Sequence, residues 1–78
     1  MNYKKLQQAC ERIEGVSIVL QESGCQCIVQ SSADFSVEDE IERIATCYGC
    51  VFIRGSGNVR IHKIIPGRKV EPVKANVN

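Results

Sequence analysis

Seventy-eight residues allow one domain and one core, because a chain this short buries only about 60% of its unfolded surface. A 44% hydrophobic and 24% charged composition is that of an ordinary globular protein and excludes general disorder. The net charge of +1 is unevenly spread: residues 1–48 hold four Lys/Arg against eight Asp/Glu, and residues 49–78 hold six against one, so the two parts carry −4 and +5.

Along the chain, Tyr3, Leu6, Cys10 and Ile13 recur at three- and four-residue spacing, which predicts an amphipathic helix over residues 3–14. Gly15 stops it. Val16, Ile18 and Leu20 then alternate with Ser17, Val19 and Gln21, and after the turn residues Glu22-Ser23-Gly24, Cys25, Cys27 and Val29 alternate with Gln26, Ile28 and Gln30; this is a hairpin. Ser36-Val37-Glu38-Asp39 has the form of a capping box opening a second helix, whose apolar stripe is Val37, Ile41, Ile44, Ala45 and Tyr48. The acidic residues of its first turns suit the positive end of the helix dipole. Gly49 ends it, and Cys50 to Arg54 and Val59 to Ile65, turned by Gly55-Ser56-Gly57-Asn58, form a second hairpin closed by Pro66-Gly67. Residues 68–78, with Pro72 and no sustained period, read as a loosely held tail on a single domain spanning 1–67.

The two halves align with an offset of 33 to 35 residues, as two α-β-β units. The predicted fold is therefore α+β: a two-layer αββαββ arrangement with pseudo-duplicated halves, its four-stranded, mainly antiparallel sheet carrying both helices on one face. The other face is open. On this reading Val16, Ile18, Leu20, Val51, Ile53, Val59 and Ile61 point to the helices, while Val19, Ile28 and Phe52 point outward with Gln26, Arg54, Arg60 and His62.

The five cysteines need a compartment. No apolar stretch with a cleavage site follows Met1 to Gln8, so the expectation is a cytoplasmic protein with reduced thiols. Cys25, Cys27, Cys47 and Cys50 are enough in number for a zinc site, but Cys25 and Cys27 align with Val59 and Ile61 in the repeat, which favours core packing and no metal. Cys47 falls at the negative end of a helix, the wrong end to activate a Cys-x-x-Cys thiol. His62 is the only histidine, reads as solvent-facing, and has no evident nucleophile or carboxylate. The glycine-rich loop joins strands and does not open a helix as a phosphate loop does. No enzyme and no cofactor is expected.

What remains is binding. In size, lack of catalytic residues and α+β layout, the chain resembles small stand-alone inhibitors and regulators, including phage-encoded inhibitors of bacterial immunity such as anti-CRISPR proteins; the resemblance rests on no particular residue and implies occupation of a surface on a larger protein or complex. Two surfaces are candidates. One is the acidic helix start, Glu38, Asp39 and Glu42; the other is the sheet face with the basic hairpin, Phe52, Arg54, Arg60, His62 and Lys63. A homodimer through the open face is a further partner reading. The alternative is nucleic acid held through Arg54, Arg60, Lys63, Arg68 and Lys69, and a zinc module comes after it.

Overall fold

The computed structural model describes residues 3–67; the expected tail lies outside the described residues. Helix α1 (Tyr3–Glu11) leads into β1 (Val16–Gln21) and β2 (Gly24–Val29), and α2 (Ser36–Cys47) leads into β3 (Cys50–Ile53) and β4 (Ile61–Pro66). The strands form one sheet in the order β1-β2-β4-β3 with every neighbouring pair antiparallel. The second strand of each hairpin is thus central and the first is at an edge. The α+β, αββαββ architecture is as the sequence predicts.

The core lies between the helices and one sheet face. Leu6 and Cys10 of α1 and Val37, Ile41 and Ala45 of α2 meet Val16, Ile18, Cys25, Cys27, Val29, Cys50, Phe52 and Ile64. The i, i+4 spacing of each helical set places it on one stripe. Inward residues occupy alternate strand positions, as the pleat requires.

Local details depart from the sequence reading at both helices. Helix α1 ends at Glu11, before a turn in which the Ile13 N–H donates to the Cys10 carbonyl and the Val16 N–H to the Ile13 carbonyl. Gly15 adopts φ 88°, and its carbonyl accepts the Gln30 N–H at 2.7 Å. The capping box at Ser36 does not form: Phe35 is the N-cap with helical dihedrals and no side-chain cap. Asp34 Oδ1 instead accepts the Ser36 N–H at 2.9 Å. That hydrogen bond lowers the Asp34 pKa.

The β1 edge is occupied by α1. Gln7 Nε2 donates to the Ile18 carbonyl at 3.0 Å, and the Ile18 N–H donates to Glu11 Oε2 at 2.8 Å. Two side chains one helical turn apart thereby satisfy the outward backbone groups of one strand residue.

Candidate functional site

Glu38 is a carboxylate in the first turn of α2, yet it is 4% exposed. It faces β4 and not solvent. Arg60, immediately before β4, forms a two-pronged contact with it, Nε to Oε2 at 2.7 Å and Nη2 to Oε1. This planar pairing is the strong form of a charge-assisted hydrogen bond. Arg60 also donates from Nη1 to the carbonyls of Ala33 at 2.6 Å and Gln30 at 3.2 Å, and from Nη2 to that of Asp34 at 2.9 Å. One guanidinium therefore ties the β2–α2 connection, the start of α2 and the start of β4 together. The Phe35 ring covers it, 5.1 Å from centroid to Cζ, at cation–π distance.

His62 completes the cluster. Its Nδ1 accepts the Gly55 N–H at 2.9 Å, and its Nε2 lies 2.9 Å from Glu38 Oε2. A backbone N–H can only donate, so Nδ1 carries no proton and Nε2–H donates to the carboxylate. The ring, 5% exposed, stands 5.0 Å from that of Phe52. Hydrogen bonding from Arg60 holds the Glu38 carboxyl down at about 2 from the ordinary 4.5, against the upward push of burial and helped by His62. The same pairing raises the Arg60 pKa.

These contacts correct the two charged surfaces read from sequence. Glu38, Phe52 and His62 are buried, and the outward placement expected for Phe52, Arg60 and His62 does not occur. Arg54 donates to Asp39 Oδ1 at 2.8 Å, lies 3.7 Å from Glu42 Oε1 and sits over the Phe52 ring. The acidic helix start and the basic hairpin are thus two halves of one ionic seam. The exception is Lys63, exposed on β4, for which the structure shows no ion pair among the described residues. Arg68 and Lys69 lie outside them.

The cysteines do not converge on a metal. Cys10, Cys25, Cys27 and Cys50 are buried and Cys47 is exposed on α2, and among the described residues no group of three or more His, Cys, Asp or Glu could hold an ion. Burial pushes the Cys27 thiol up to about 12 and Cys10 to about 11.

The outer sheet face is more apolar than the sequence reading. Its cross-strand rows follow from the pairing: Ser17, Ile28 and Ile61; Val19, Gln26, Lys63 and Ile53; Gln21 beside Gly24, and Ile65 beside Val51. Val19 and Ile53 are 44% and 43% exposed, Ile61 36%, and Ile28, Val51 and Ile65 are half-buried. Val19 and Ile28 face outward as expected, whereas Val51, Ile53 and Ile61, assigned inward by sequence, join them together with Ile65. A one-residue shift in phase exchanges the faces of a strand, and that shift separates the expected second hairpin from the observed one. Six β-branched aliphatic side chains thus spread over four strands with no layer above them in the described chain. No protein-family model, curated protein or solved structure matches this chain.

Proposed function

We propose that this protein is a non-enzymatic protein-binding module that docks its partner on the outer face of the sheet. The observation that carries the reading is the apolar row system centred on Val19, Ile28, Ile53 and Ile61. Apolar side chains left without a covering layer on an open sheet mark an interaction face, and here they flank a polar centre, Gln26 beside Lys63. Gln21, Ser17 and Gln26 supply polar groups among the apolar ones, and Lys63 a single charge. A stand-alone inhibitor or regulator covering a surface of a larger protein would use the face in the same way.

Two features favour this reading over its competitors. The constellation most like catalytic machinery, His62 with Glu38 and Arg60, is buried and commits its hydrogen bonds internally. For nucleic acid, Arg54 and Arg60 are held by carboxylates and Phe52 is 8% exposed, which leaves phosphate contacts and base stacking poorly served.

A photo-crosslinking side chain placed at Ile61, and separately at Glu40 on the helix side, tests the proposal in the native host. Protein adducts from position 61 and none from position 40 are expected. Nucleic-acid adducts, or no adduct from position 61, would overturn it.

A further inference from the structure

We infer that the outer face is a homodimer seam, in which two copies pack sheet on sheet about a twofold axis running parallel to the strands between β2 and β4. The inference rests on the docking role proposed for that face and names its occupant.

The argument is the self-complementarity of the rows. A twofold axis lying in the interface, along the strands and midway between the central pair, places β2 of one copy over β4 of the other and β1 over β3. Each row then meets its own reversed order. Val19 comes to lie over Ile53 of the second copy, and Gln26 over Lys63. The amide carbonyl of Gln26 is an acceptor for the ammonium of the opposed Lys63, so the one charged group among the described residues of these strands' outer face meets a polar partner at the seam's centre. In the next row Ile65 lies over Gly24 and Val51 over Gln21. A twofold axis perpendicular to the strands at the central row would instead bring the two Lys63 ammonium groups together, which like-charge repulsion disfavours.

The size of the face sets the strength. Four strands about 4.8 Å apart and six residues at about 3.3 Å rise give a projected face of roughly 19 by 20 Å. The two projected faces together come to roughly 700 Å², four-residue β3 being the shortest strand, which is the low end belonging to weak, reversible complexes and not to obligate dimers. Aligned packing of two twisted sheets about 10 Å apart suits such a seam.

The test has two parts. In sedimentation equilibrium from about 1 μM to 1 mM, a range fitted to a weak interface, the intact chain shifts from monomer to dimer mass, and Ile61→Asp weakens the association at least about tenfold while retaining its circular dichroism spectrum. In a Cys47→Ser background, Val19→Cys and Ile53→Cys proteins mixed together are joined by a short bismaleimide, and neither is joined to itself. A monomer at every concentration, or self-linking of Val19→Cys alone, overturns the dimer. The photo-crosslink at position 61 separates the two readings: a monomer whose probe captures a foreign protein removes the dimer but keeps the docking face, and a monomer whose probe captures nothing removes both.

Discussion

Glu38 and Arg60, 22 residues apart in the chain, meet through both carboxylate oxygens with side chains 6% and 11% exposed. Removing one member of a buried ion pair leaves the other uncompensated and costs about 3–5 kcal/mol. Glu38→Ala is expected to lose about 3 kcal/mol in urea unfolding, Arg60→Ala to destabilise as well, and the double variant to lose much less than the sum of the two. Additive losses would show that the two residues act separately.

Acid should act on the same pair. Because the Glu38 pKa is depressed in the folded chain to about 2 from 4.5, its stabilising contribution is complete above about pH 4.5 and is lost as the pH falls toward 2. The stability gap between the intact protein and Glu38→Gln should narrow across that window, as read by denaturant unfolding at stepped pH. A constant gap would mean that Glu38 is not held as a carboxylate.

Thiol chemistry should divide the five cysteines. Cys47 is exposed, whereas burial shelters Cys10, Cys25, Cys27 and Cys50 and raises their pKa values. The thiolate is the reactive form. One equivalent of maleimide per folded chain, located at Cys47 by peptide mapping, and five in denaturant are expected. Rapid native labelling at Cys27 would contradict its burial in the core.

Gly55 and Gly49 should respond differently to alanine. A Cβ at Gly55 would collide with the Ile61 carbonyl oxygen, and the Gly55 N–H is the partner of His62 Nδ1. Gly49, at φ 72°, has open space around it. Thermal or urea unfolding should show Gly55→Ala costing about 2–3 kcal/mol through backbone displacement, and Gly49→Ala about 1 kcal/mol from its left-handed conformation alone. Equal losses would deny the close approach of the 55 and 61 backbones.

The elements and the sheet class were legible because the helical stripes are clear and glycine punctuates both halves. In the first hairpin Val16 and Ile18 face inward and Val19 and Ile28 outward as the alternation predicts, whereas Leu20, assigned to the core, is 40% exposed. In the second hairpin both phases of the alternation carry apolar side chains, Cys50 and Phe52 against Val51 and Ile53, and His62 and Ile64 against Ile61 and Ile65, so period alone does not choose. What chooses is polar satisfaction. His62 is inside because Gly55 and Glu38 occupy both its nitrogens, and that pairing joins elements distant in sequence. The one local sign was Glu38 itself, beside Val37 and three residues before Ile41 on the buried side of α2. Its flank position next to the stripe marked a charge in need of a buried partner.

The α1 side chains on β1 govern what kind of assembly this sheet can enter. Head-to-tail growth, strand β1 of one molecule adding to β3 of the next, would generate an open fibre because each addition exposes a fresh edge. Gln7 and Glu11 already hold the outward groups of Ile18, so an incoming strand would have to strip both before it gained a ladder. Strand-to-strand addition is thereby obstructed at the β1 edge, one of the two edges such a fibre would need.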